Sequence, residues 1–114
     1  MRLSPFLLAP SLAAAFALQA RAEAQAPAKD LKAFFLRTCA TCHGADGSGR
    51  APTGQRLVGR ALADAKWQAR QKDSDLVKVI YLGKGAMPGY KGQLTEDEVK
   101  QMVADVVRPL ALKK

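Results

Sequence analysis

The chain has 114 residues, with 18 Lys and Arg against 10 Asp and Glu, a formal charge of +8, two cysteines and one histidine. That length holds one small domain and excludes a multidomain enzyme. Both cysteines lie within four residues of each other, which excludes a disulfide framework. The basic residues are scattered rather than gathered in a stripe, which argues against a nucleic-acid binder.

Met1-Arg2 supplies a charged start, Leu7 to Leu18 an apolar run, and Ala20-Arg21-Ala22-Glu23-Ala24 small residues at alternate positions. That order is a secretory signal peptide, so residues 1–24 are expected to be a leader cleaved after Ala22 or Ala24. An uncleaved anchor is the rival. The apolar run is only about 12 residues and is interrupted by Pro10 and Ser11, whereas a spanning helix needs about 20. The mature form is therefore expected to be periplasmic, with no transmembrane segment.

Loss of Arg2, Arg21 and Glu23 leaves a charge of about +7 on about 90 residues. Such a charge keeps a small protein soluble, or steers it onto an acidic partner or an anionic membrane surface. A domain of this size buries a modest core and commonly needs a metal, a cofactor or a disulfide to hold it.

Residues 25–28 are expected to be a flexible start, and residues 29–114 the folded domain. Asp30 is a fitting N-cap for a first helix running towards Thr41, with Leu31, Phe34 or Phe35, Thr38 and Cys42 on its apolar face. Gly44 ends it. The stretch from Gly44 to about Arg60 is rich in glycine and reads as a long functional loop. A short helix over 61–71 around Trp67 follows. A third helix, capped by Asp73 or Ser74, carries Leu76, Val77, Val79, Ile80 and Tyr81 and stops at Gly83.

Gly83 to Gly92 reads as a second loop, with neither helix nor strand. Thr95-Glu96-Asp97-Glu98 is a capping box opening the last helix. Val99, Met102, Val103, Val106 and Val107 form its buried stripe, and Pro109 closes it. No strand pattern is visible, so the expected class is all-α.

The chemistry is concentrated in Cys39-Ala40-Thr41-Cys42-His43, which contains every cysteine and the only histidine. Cys-x-x-Cys-His is the attachment signature of a c-type haem. Two thiols one helical turn apart each add to a porphyrin vinyl group, and the adjoining imidazole lies under the iron. A zinc site would need four ligands, and only three Cys or His exist. A thioredoxin-like pair would need a strand–helix alternation. A cysteine nucleophile beside His43 would lack a third group to orient it.

His43 is thus the expected proximal ligand. Met87, Met102, a lysine, or no protein group is the distal one. Met102 sits mid-helix on an apolar face, where methionine packs. Met87 stands in a glycine-rich loop before Pro88, which restricts its backbone, and is the favoured ligand.

In these residues the chain resembles the small bacterial class I cytochromes c. The resemblance spans about residues 29 to 112. It rests on Cys39 to Gly47, on Gly83-Lys-Gly-Ala-Met87-Pro-Gly-Tyr90, and on Leu94-Thr95-Glu-Asp-Glu-Val99. It implies three to four helices around one covalent haem c, with the first and last crossing. It also implies cysteine attachment through Cys39 and Cys42 and axial ligation by His43 and Met87.

Two departures stand out. Val106 occupies about the position where the family carries an aromatic residue packing on the first helix. The loop from Gly49 to Gly54 differs from the family form, so Pro52 is the candidate to supply the carbonyl for the second nitrogen of His43. Trp67, Arg56, Arg60 and Tyr90 are candidates to hydrogen-bond the haem propionates, or simply pack or face solvent. Lys84 and Lys91 flank the methionine loop and are candidates to guide a redox partner.

The expected function is single-electron carriage, by a monomer, between redox partners with acidic docking surfaces in a respiratory-type chain, not an enzyme. Two alternatives differ from it: an electron-accepting subunit docked on a periplasmic dehydrogenase, and an open-site haem sensor or peroxidase if Met87 leaves the iron free.

Overall fold

The computed structural model describes residues 29–112. The expected leader and residues 25–28 lie outside the described residues. Helix α1 (31–43) starts where expected, with the Asp30 carboxylate accepting the Ala33 N–H at 2.9 Å. Gly44, at φ 81°, closes it and donates its N–H to the Ala40 carbonyl.

Midway through α1, Phe35–Cys39 forms a widened turn in which Ala40 N–H reaches back to the Phe35 carbonyl. One residue is thereby inserted into the helical count, which turns everything beyond it by about 100°. This corrects the expected face. Phe34 and Phe35 are both buried, while Cys42 is exposed and Cys39 with Ala40 packs against the core instead.

The loop from 44 to 60 returns to the end of α1. Gly49 N–H bonds the His43 carbonyl at 2.7 Å, and Gly59 N–H bonds the Cys42 carbonyl at 2.8 Å. Helix α2 (Ala65–Ala69) is shorter than the expected 61–71 because Asp64 caps it, accepting from Trp67 N–H at 3.0 Å.

Helix α3 (Asp73–Leu82) is capped at Lys72, not at Asp73 or Ser74. The Asp73 carboxylate is engaged elsewhere, by the Arg108 guanidinium at 2.7 Å. Gly83, at φ 84°, stops the helix.

A two-residue antiparallel ladder follows, β1 (Gly83–Lys84) and β2 (Met87–Pro88), with Gly83 opposite Pro88 and Lys84 opposite Met87. The expected strandless loop is corrected here. Gly85, at φ 57°, makes the turn, and Pro88 sits at the end of the ladder, where its missing donor costs least. Among the described residues the other regular elements are helices, apart from an isolated antiparallel bridge between Arg50 and Arg56.

Helix α4 (96–110) opens with both halves of the capping box in place, Glu98 N–H on Thr95 Oγ1 and Thr95 N–H on Glu98 Oε1. It has its own widened turn at Val103–Val107, directly before Pro109. Pro109 does not close α4 on the spot; the helix runs on through Leu110. A proline ring crowds the carbonyl four residues back, and the widened turn is where such crowding is relieved.

The core joins both ends of the chain. Leu31, Phe34 and Phe35 of α1 pack with Val99, Met102, Val107 and Leu110 of α4, and with Tyr90 and Leu94 between them. Phe34 and Tyr90 meet edge to face, with ring centroids 5.7 Å apart. Val106 is half-buried and leaves a shallow cleft of about 80 Å³ at the crossing, lined by Phe35, Leu36, Pro109 and Leu110 among others. Among the described residues, no helix is long and apolar enough to cross a membrane.

Candidate functional site

His43 is the last residue of α1, and its ring is fixed by the last residue of the loop. Its Nδ1 lies 2.8 Å from the Arg60 carbonyl oxygen. A carbonyl only accepts, so Nδ1 carries the proton and donates it, leaving Nε2 with its lone pair available to a metal. The expected acceptor was Pro52. Pro52 instead lies in the exposed turn between Ala51 and Gly54, where Gly54 N–H bonds the Ala51 carbonyl. The loop's return through Gly59 is what brings residue 60 to the histidine.

Gly59 is a contact point that sequence reasoning missed. A Cβ there would stand 2.3 Å from the Cys42 carbonyl oxygen and 2.9 Å from His43 Nδ1. Only a residue without a side chain lets the loop lie this close to the attachment helix. A glycine in a loop of many glycines has no distinguishing mark in sequence.

The two thiols are free and differ in their surroundings. Burial, and secondarily the neighbouring Cys42, pushes the Cys39 thiol up to about 11. Cys39 is therefore a neutral thiol at ordinary pH. Burial first, and then the two cysteines, raise the Tyr90 phenol above its usual value. Its packing on Phe34 is the role that the geometry gives Tyr90.

Met87, in β2, is partly buried and packs against the same apolar cluster as Cys39. The hairpin holds its backbone, and Gly89 beyond it is pressed so closely to α3 that a Cβ would lie 2.5 Å from the Leu82 carbonyl carbon. Met102 is 1% exposed in the core.

Arg60 turns its guanidinium over the Trp67 ring, 4.5 Å from the centroid. Arg56 is exposed, as are Lys84 and Lys91 on either side of the Met87 segment.

The donor set fits a covalently attached haem. It offers two unbridged thiols at the end of a helix, an imidazole with its second nitrogen already tied, and a thioether held on a pinned hairpin. The partly buried Cys39 and Met87 pack against the core cluster, as Leu62, Val77 and Ile80 do. A zinc site does not assemble: among the described residues, no three or more His, Cys, Asp or Glu gather as a metal site.

Comparison with known proteins agrees with this chemistry. Residues 26–104 match the family described as cytochrome c oxidase, cbb3-type, subunit III. Over 72 residues the chain is 38% identical to the cbb3-type cytochrome c oxidase subunit FixPc of Rhizobium leguminosarum bv. viciae, covering 62% of this chain. It spans only 24% of that subunit's length. It is 35% identical over 75 residues to cytochrome c6 of Leptolyngbya boryana, 64% of this chain and 81% of that one. Among solved structures it is similar to the KustC0563 c-type cytochrome, with a TM-score of 0.60 and 38% identity, over 72% of this chain and 98% of that one.

Proposed function

We propose, from the premise that this chain belongs to the cytochrome c family described as cytochrome c oxidase, cbb3-type, subunit III, that it is an exported carrier of single electrons. It is a small class I cytochrome c with one covalent haem c. The observation that carries the reading is the 2.8 Å contact of His43 Nδ1 with the Arg60 carbonyl. It fixes the tautomer that a proximal ligand needs, four residues from one thiol and adjacent to the other.

Cys39 and Cys42 would hold the haem covalently through their sulfurs. His43 Nε2 and the Met87 thioether would ligate its iron. When bound, the haem supplies a one-electron Fe(III)/Fe(II) couple. With both ligands supplied by the protein, the iron would have no place for a substrate, and the chain would act as a carrier and not as an enzyme. Methionine holds the couple at a higher potential than a second histidine would.

The charge pattern supports docking on acidic partners. Among the described residues, ion pairs engage Lys29, Lys100 and Arg108. Arg56, Lys66, Arg70, Lys84 and Lys91 are exposed and outside those pairs. Such a surface speeds encounter with an acidic protein and weakens in salt. Export follows from residues 1–24, and a monomer acting between a quinol-oxidising complex or dehydrogenase and a terminal oxidase completes the proposal.

The similarity to an oxidase subunit favours a second arrangement, permanent docking on a larger redox complex. Periplasmic expression with haem-maturation machinery tests both. The expected product carries one covalent haem by mass, shows a low-spin spectrum with the methionine–iron charge-transfer band, and elutes alone at moderate salt. A high-spin five-coordinate ferrous form would overturn the carrier and favour a sensor or peroxidase. Co-elution with a large complex at that salt would establish the subunit.

A further inference from the structure

We propose that Trp67 is a positioning residue for His43, acting through Arg60. The inference rests on the proposed ligation by His43 and concerns how that ligand is held. One residue joins the two: the Arg60 carbonyl accepts the His43 Nδ1–H at 2.8 Å, while its guanidinium lies 4.5 Å from the Trp67 ring centroid.

Two features make the stack consequential. First, the backbone is tied on either side of the carbonyl, by Gly59 N–H on the Cys42 carbonyl at 2.8 Å and by Ala63 N–H on the Gly47 carbonyl at 2.9 Å, and the stack adds a hold at residue 60 itself. Arg60 is exposed, and among the described residues its guanidinium is in no ion pair. Second, Trp67 stands on a fixed base. Its neighbour Gln68 is 3% exposed and donates to the Leu62 carbonyl at 2.7 Å and the Val107 carbonyl at 2.8 Å. The Asp64 cap on Trp67 N–H holds the other side of the same turn. Helix α2 is therefore anchored to α4 and presents a rigid ring, against which the arginine is laid.

A firm Nδ1–H···O=C bond has an electronic effect as well as a geometric one. It pushes electron density into the imidazole and makes Nε2 a stronger donor, which favours ferric over ferrous iron. Loosening the carbonyl should weaken that push and raise the potential.

The test compares Trp67→Leu and Trp67→Phe in the haem-loaded protein. The readouts are solvent exchange of the His43 Nδ1–H by NMR, the midpoint potential, and the ferric optical spectrum. Trp67→Leu keeps bulk but loses the aromatic face. It is expected to speed exchange about threefold, the factor that a partly exposed cation–π contact supplies, and to raise the potential with ligation unchanged. Trp67→Phe should restore both. Amides of Val99 and Val103 should exchange as in wild type, which separates loosening at the histidine from general destabilisation.

Unchanged Nδ1–H exchange and potential in a six-coordinate Trp67→Leu protein would overturn the inference. If that variant fails to load haem, Arg60→Met, which keeps the carbonyl and removes the stack, must show the same faster exchange; wild-type exchange there would overturn it equally. Absence of an imidazole ligand in the wild-type spectrum would instead overturn the His43 assignment itself.

Discussion

Gln68 donates its side-chain amide to the Val107 carbonyl at 2.8 Å, bridging 39 residues of chain between α2 and α4. Arg108, next along α4, answers by donating to the Gln68 carbonyl at 2.7 Å, to the Gln71 carbonyl at 2.8 Å and to the Asp73 carboxylate. Together they fasten the middle of the chain to its last helix.

Replacing Gln68 with Leu should destabilise the protein by about 2 kcal/mol, because the Leu62 and Val107 carbonyls lose their shared donor in a buried place. Arg108→Lys keeps the charge, yet a single nitrogen cannot reach acceptors that the guanidinium meets with three separate nitrogens, so it should cost about 1 kcal/mol. Denaturant midpoints of the haem-loaded variants check both figures; a neutral Gln68→Leu would show that water fills the role.

Met87→Ala and Met102→Ala should fail differently. The first is expected to abolish the methionine–iron charge-transfer band and lower the potential while stability falls less. The second should keep the band and lose about 2–5 kcal/mol through a core cavity. Optical titration and thermal melts of the pair distinguish a ligand from a packing residue, and an intact band in Met87→Ala would remove it from the iron.

Gly59→Ala forces a methyl into the Cys42 carbonyl, which is main chain and cannot swing aside. A cost of about 3 kcal/mol or a displaced loop is expected. The measurable result is a lower yield of haem-attached protein and faster exchange at His43 Nδ1–H. Gly54→Ala, with nothing within 4 Å of its Cβ, serves as a control for open space, though its φ of 86° carries its own backbone strain.

Glu98 should set part of the acid sensitivity. The Thr95 backbone N–H, helped by Lys29, holds its carboxyl below the ordinary value of 4.5. A carboxylate made more acidic by folding contributes stability above its unfolded pKa and loses it as pH falls through the folded value. Wild-type stability should therefore decline more steeply than that of Glu98→Gln as pH drops below about 4.5. Parallel pH profiles would show that the capping box does not titrate. Thr95→Ala, which removes the reciprocal cap, should cost about 1 kcal/mol at neutral pH.

Local signals in the chain were legible where the partner lies within a few residues. The Asp30 cap, the Gly44 and Gly83 stops and the Thr95–Glu98 box all act over one turn, and each stands where its residue types point. The helix pattern failed where regularity failed: an inserted residue in the turn at Phe35–Cys39 exchanges Cys42 for Cys39 at the core. Asp73 was misplaced as a cap because its real partner, Arg108, is 35 residues away.

The amino-acid order alone carried the Cys39, Cys42 and His43 signature on which the proposed haem attachment rests, since that chemistry needs three side chains at fixed spacing on one turn. The family comparisons agree with the cofactor. What only the tertiary structure decided is which groups hold the site. A main-chain carbonyl carries no residue signature, so Arg60 could displace Pro52 as the acceptor without any trace in composition. The close approach of Gly59, the stack on Trp67 and the Gln68 anchor likewise depend on bringing distant segments together, because each is a contact across space between groups common in any chain.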